Sequence, residues 1–293
     1  SVITCTVAMT TYGRTLEAAQ KRMDDISIES TNGTASSAPT LTISMAKGNN
    51  MSLTHKISTT ITIPFSLKLK LTADNGDVQA ANLTQGLTAD FNYASFKANS
   101  LSGASNTIKL KYSNATLENF KNIDLTSDYS NFKATQGINL TVNSNFSKFT
   151  IDRLTSSFSG KMAHDKLNLD YVGELTVPNA NFVDMNIDTV MVSFEGTNFD
   201  HSTIDIDYIP LDFQKAKLTA EWTTFNLAFD DTYSLAIDLD LEKCVVNASI
   251  LDFKSAIEKN KTEDKTIKLQ WHNKVPAKTH IDIQDRYGIL NLK

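Results

Sequence analysis

The acid–base chemistry open to this sequence gathers around residue 200. Asp200, His201, Asp205 and Asp207 lie close together, and Asp230 and Asp231 form a second acidic pair. Glycosidases need two carboxylates facing each other across the scissile bond. Asp205 and Asp207 alternate with Ile204 and Ile206, so both should point to the solvent side of one strand. Side by side, they form one wall of a cleft or a cation contact, or simply a solvated strand face. A polysaccharide lyase would set a basic residue beside a calcium-binding acidic cluster, and no arginine matches that pattern. The five histidines are His55, His164, His201, His272 and His280. His272 and His280 flank Pro276 and would meet across a turn there. Two histidines without a Cys or carboxylate pattern are an incomplete zinc site. No Ser-His-Asp grouping, Gly-rich phosphate loop or Cys-x-x-Cys motif occurs. The expectation is therefore no catalytic residue, no metal and no cofactor.

The elements that would carry these residues are announced by a repeat. Tyr93, Tyr112, Tyr129 and Phe146 recur at gaps of 19, 17 and 17 residues. Three residues after them come Phe96, Ala115, Phe132 and Phe149. Four residues before come Ala89, Ile108, Leu125 and Val142. Asn75 opens the series, with Leu71, Val78 and Ala80 in matching columns. A fixed period near 18 with alternating apolar residues describes stacked units, none able to bury its apolar face alone. The spacing predicts an all-β chain, a parallel right-handed β-helix with rungs of about 17–19 residues. Leu71, Ile108, Leu125 and Val142 should form one inward column. Val78, Phe96, Ala115, Phe132 and Phe149 should form another. Before the aromatics stand Asp74, Asn92, Lys111, Asp128 and Asn145, mostly Asx residues suited to bonding their own turn backbone. Past Phe146 the apparent rungs run through Phe158, Tyr171, Phe194, Tyr208 and Trp222 at irregular gaps. Tyr287, with Ile281, Ile283, Leu290 and Leu292 around it, reads as a late rung or closing strand.

The flanks differ from the repeat. Thr15–Ile26 is the best helix pattern, capped by Thr15 and apolar at Leu16, Ala19 and Met23. Short strands are expected at 2–7, 27–29, 41–45 and 58–63, with turns at Asn32-Gly33 and Lys47–Asn50. Lys254–Lys265 is charged and reads as a surface loop, although Ser255–Lys259 can form one helical turn. The expected organisation is an N-terminal cap of helix and strands over 1–66, continuous with the solenoid. The β-helix follows over 67–253, then a loop and closing strands over 254–293.

Composition narrows the function class. The 293 residues carry a formal net charge of -5 and 41% hydrophobic residues. That favours a folded chain and argues against a nucleic-acid binder, which shows a basic stripe. No apolar run is long enough for a membrane-spanning helix. Cys5 and Cys244 pair only if the chain ends meet; otherwise they act as small buried hydrophobes. Ser1 starts directly in strand-like sequence, as a processed chain would.

The units Lys111-Tyr112-Ser113-Asn114-Ala115-Thr116-Leu117 and Asp128-Tyr129-Ser130-Asn131-Phe132-Lys133-Ala134 resemble those of the auto-transporter adhesin family of head GIN type, from secreted Bacteroides-like envelope proteins. Asn75-Gly76-Asp77-Val78 and Arg286-Tyr287-Gly288-Ile289 look like the same unit. So do the upstream helix Glu17–Ile26 and the strand ending in Ile61-Thr62-Ile63-Pro64. Ser113, Ser130 and Ala94 stand where the family pattern has glycine. The resemblance covers roughly residues 10 to 225. It implies a secreted, periplasmic or cell-surface β-solenoid that binds a glycan or a host or cell-surface protein, and it brings no catalytic residues. A carbohydrate-active enzyme on a β-helix and a periplasmic structural or sensory module are the alternatives. Two features of the sequence bear on ligand contact. The aromatic series offers stacked rings, which either hold a glycan or stabilise the rungs. Lys97, Glu118, Lys133 and Thr150 mark an outward polar face.

Overall fold

The structure is a computed structural model describing residues 3–31, 39–45, 55–230, 234–249, 251–273 and 277–293. The chain divides into two compact units, Ser1–Leu67 and Lys68–Lys293.

In the first unit, β1 (Thr4–Thr11) precedes α1 (Leu16–Asp24), β2 (Ile26–Thr31), β3 (Thr40–Met45) and β4 (His55–Thr62). β1 pairs antiparallel with β4, and β2 with β3. Thr15 caps α1 as expected: the Ala18 N–H donates to its Oγ1 at 3.2 Å, satisfying one of the helix's free first-turn amides. Leu16, expected on the apolar face, is exposed. The turns expected at Asn32-Gly33 and Lys47–Asn50 lie outside the described residues.

The second unit is a parallel β-solenoid of about nine turns. Its strands run β5 (Leu69–Leu83), β6 (Leu87–Leu101), β7 (Asn106–Lys111), β8 (Asn114–Asp128), β9 (Asn131–Asn145) and β10 (Lys148–Ala163). They continue as β11 (Lys166–Asn181), β12 (Asp184–Asp200), β13 (Thr203–Ile209), β14 (Lys215–Glu221) and β15 (Thr224–Phe229). The last elements are β16 (Leu235–Glu242), β17 (Val245–Ala248), α2 (Leu251–Asn260), β18 (Thr266–His272), β19 (Thr279–Arg286) and β20 (Ile289–Leu292).

β8 shows how a rung is written. Ala115, Leu117, Phe120, Ile123, Leu125 and Ser127 point inward and are buried. The alternation slips at Glu118-Asn119 and again at Lys121-Asn122, where two consecutive residues face outward. At such a slip a period-2 strand must bend to keep its next apolar residue inside. The third corner is Tyr129. The expected columns form: Leu71, Ala89, Ile108, Leu125 and Val142 pair in sequence, as do Val78, Phe96, Ala115, Phe132 and Phe149. Gly137 faces Phe120 in the rung before it, and a Cβ there would lie 2.1 Å from the ring. The missing side chain is what lets Phe120 stay inside.

Two expectations need correction. The Lys254–Lys265 segment is largely helix: α2 buries Phe253 and Ile257, four residues apart, and sets Phe253 5.0 Å from Trp271 of β18. A charged surface with two apolar residues on one face is a short amphipathic helix; its packing outweighs its weak local propensity. The rungs are also not stacked in chain order. β19 pairs in parallel with β14 on one side and β16 on the other, and β20 likewise with β15 and β17. Residues 279–292 thus form an interior rung between two that precede them in sequence. β18 lies antiparallel outside β16.

Candidate functional site

One corner of every rung is built the same way. Its residue has a positive φ, from +47° to +61°, at Asn75, Tyr93, Tyr112, Tyr129, Phe146 and His164. The series continues through Phe182, His201, Trp222, Tyr287 and Lys243. This left-handed conformation costs a residue with a Cβ about 1–2 kcal/mol. Two things compensate. The first is ring stacking. Neighbouring rings from Tyr93 to Tyr287 lie 4.5–5.9 Å apart, in nearly parallel planes. Each stacked pair contributes about 0.5–1.5 kcal/mol. Lys243 ends the series, its ammonium 5.1 Å from the Tyr287 ring centre.

The second is a buried column just behind the rings. The residue after most corners is inward and buried, among them Ala94, Ser113, Ser130, Ser147, Asp165, Val183, Ser202 and Thr223, whereas Gly76 after Asn75 is exposed. Each serine hydroxyl donates to a carbonyl of its own rung, as Ser130 Oγ does to Asp128 O at 2.7 Å. The same oxygen accepts the backbone N–H of the rung before, from Ser113 to Ser130 Oγ at 2.9 Å and from Ser130 to Ser147 Oγ at 3.2 Å. The left-handed turn points that amide into the core, where an unpaired donor would be costly. Asp165 fills the column as a carboxylate. It accepts from Ser144 Oγ, the Ser147 N–H and the Ala163 N–H at 2.6–2.9 Å. Burial raises its pKa, and these bonds partly offset the rise.

The ladder changes the meaning of several sequence candidates. Phe158 and Phe194 are inward core residues, while Tyr171 and Tyr208 stand in line with Arg153 and Thr189 on another face. The true successors of Phe146 are His164, Phe182 and His201. Counting on by 18 or 19 residues reaches them; restricting the count to Phe, Tyr and Trp hid the histidines. His164 lies 4.5 Å from Phe146 and 5.1 Å from Phe182. Of Asp74 and its equivalents, Asn92 donates to Asp74 Oδ1 at 2.9 Å along the solenoid axis, in place of the expected bond to its own turn. From Tyr112 to Trp222 every ring has both faces covered by neighbours. Over that span the ladder offers solvent only its ring edges.

The acidic candidates do not converge. Asp200 sits just before the His201 corner, with its Oδ1 2.6 Å from His201 Nδ1. Asp205 accepts from Asn226, which accepts in turn from Asn291. Asp207 stands in a different column, in line with Asp188, Asp170 and Asp152 on the three preceding rungs. These four exposed carboxylates form a stripe that the sequence reading missed. Partial burial, then repulsion from Asp188 and Asp152, raises the pKa of Asp170. Asp231 lies outside the described residues. His272 and His280 do not meet: both align with Ala236, on opposite sides of β16. Among the described residues no group of three or more His, Cys, Asp or Glu is placed to hold a metal ion. Cys5 is exposed and Cys244 buried, and they are not paired.

Lys97, Thr116, Lys133 and Thr150 align in one outward column, and Glu118 in the next. A depression of about 620 Å³ over the late rungs is lined by the outward column of Asp200, Glu221, Glu242 and Arg286, with the buried Ala220 and Asp285 at its floor. No helix among the described residues is long and apolar enough to cross a membrane.

Comparison with protein-family models, curated proteins and solved structures gives no match.

Proposed function

We propose that this chain is a non-enzymatic binding protein of the cell envelope or secreted fraction, using its outward strand faces to hold a glycan or a cell-surface protein. The observation that carries the reading is the rung-by-rung polar wall, where Lys97, Thr116, Lys133 and Thr150 repeat at the strand spacing of about 4.8 Å. Such a wall suits contact over many rungs with an extended partner. Substrate-enclosing sites are concave instead. The edge-on rings and the separated columns of Asp200, Asp205 and Asp207 support the same reading. So does the resemblance of the early rungs to auto-transporter adhesins of head GIN type.

The purified chain should bind saturably to members of a glycan and cell-surface-protein array. Lys97→Glu with Lys133→Glu should weaken that binding without changing the melting temperature. Asp205→Asn with Asp207→Asn should leave fold and binding nearly unchanged. Polysaccharide cleavage by the wild type, with or without calcium, that this second double variant abolishes would overturn the proposal in favour of an enzyme.

A further inference from the structure

The out-of-order rung carries a buried acid. Asp285, on β19, is 2% exposed and points inward, since Gln284 and Arg286 on either side are exposed. Its neighbours across the sheet are Ala220 of β14 and Leu241 of β16. Among the described residues neither carboxyl oxygen finds a hydrogen-bond partner of good geometry. Two residues before their own corners, earlier rungs place Ser127 and Ser144, whose hydroxyls are both bonded. Room for the larger carboxyl comes from Gly288, where a Cβ would sit 1.8 Å from Asp285 Oδ2.

Among the described residues no cation neutralises this group. The titratable groups around it are Glu221 at the end of β14, Asp240 and Glu242 on β16, Cys244 just past β16, and Arg286 beside it. Arg286 turns outward to Glu221, 3.7 Å away. The Cys244 thiol contacts the backbone oxygen of Asp285 at 3.3 Å and offers its carboxylate no charge. Burial, reinforced by Glu221 and partly offset by the Arg286 N–H, pushes the Asp285 carboxyl up to about 7.

We propose that residues 279–292 form a proton-gated rung, seated while the Asp285 carboxyl is neutral and loosened as a unit when it ionises. The topology makes such a unit possible. This rung is held between its neighbours by strand pairing, by core packing, by the Thr279 hydroxyl on the Phe213 carbonyl and by the Trp222–Tyr287 stack, and the chain linking those two neighbours does not run through it. Its departure leaves both neighbouring rungs covalently intact, with β14–β15 and β16–β17 presenting free strand edges. Free edges of this kind accept another extended chain. The sign follows from linkage. The group's pKa in the seated rung is raised above the free value of 3.8. The rung is therefore held best below that free value, and it loses hold as pH rises toward 7.

Hydrogen exchange followed by mass spectrometry, corrected for intrinsic rates, tests this on the whole chain. Between pH 5.5 and pH 8 the opening equilibrium of 279–292 should rise roughly 30-fold, from the linkage of a group titrating near 7. The segment 131–145 should not follow. Asp285→Asn should abolish the difference. Asp285→Ser, matching Ser127 and Ser144, should abolish it too, and serves if the first variant folds poorly. Equal responses in both segments, or a response that survives in either folded variant, would overturn the proposal.

Discussion

The ring of Trp222 stacks on that of Tyr287, centroids 4.5 Å apart and planes 10° from parallel, although a complete further rung of the chain, β16–β17, lies between them in sequence. The contact reports directly that β19–β20 is seated against β14–β15. A double-mutant cycle of Trp222→Ala and Tyr287→Ala, read by urea melts, should give a coupling of about 0.5–1.5 kcal/mol. Strict additivity would mean the two rings do not meet.

The conformation at the corners sets which substitutions they tolerate. Tyr129 has φ +48°. Asparagine visits this region readily, and Asn75 already occupies it in the first rung, whereas a β-branched side chain is strained there. Tyr129→Val should destabilise more than Tyr129→Asn, by about 1 kcal/mol or more. Equal melting losses would show that stacking alone governs the corner.

Behind the rings, Ser130 Oγ is the acceptor for the Ser113 N–H. Ser130→Ala leaves that buried amide orphaned and should cost about 1–3 kcal/mol. Thr126→Ala, on the exposed side of β8, should stay within about 0.5 kcal/mol. Chemical denaturation of the two variants side by side decides it.

The core can be tested at adjacent residues. Phe132 is 1% exposed, and Phe132→Ala should cost about 3–5 kcal/mol. Lys133→Ala, one residue on and facing out, should cost no more than about 0.5 kcal/mol. Similar losses would contradict the inward and outward assignment.

The two thiols should differ in reactivity. Burial pushes the Cys244 thiol up to about 11, so at pH 8 it stays protonated and unreactive. Cys5 is exposed. Maleimide at pH 8 should label the native chain once, at Cys5, and twice only after unfolding. Rapid double labelling of the native chain would contradict the burial of Cys244.

The sequence alone determined the early solenoid. From Asn75 to Phe146 the corner residue, the inward columns and the rung length recur in one frame, because every rung must present the same face to the one before it. The Thr15 cap was legible for a similar reason: its chemistry is local. Past Phe146 the frame was obscured, since His164 and His201 fill ring positions that a search for Phe, Tyr and Trp passes over. Phe158 and Phe194 imitate a ladder while serving the core. The hydroxyl column was written in Ser113, Ser130 and Ser147. Its role appeared only when each hydroxyl was seen beside an amide from another rung. Tertiary structure alone decided the order of the last rungs. Backbone pairing between parallel strands is almost indifferent to side chain, so the residues around Tyr287 announce a rung without saying which gap it fills. That choice rests on contacts between distant segments: the Trp222 ring with that of Tyr287, and the Thr279 hydroxyl with the Phe213 carbonyl.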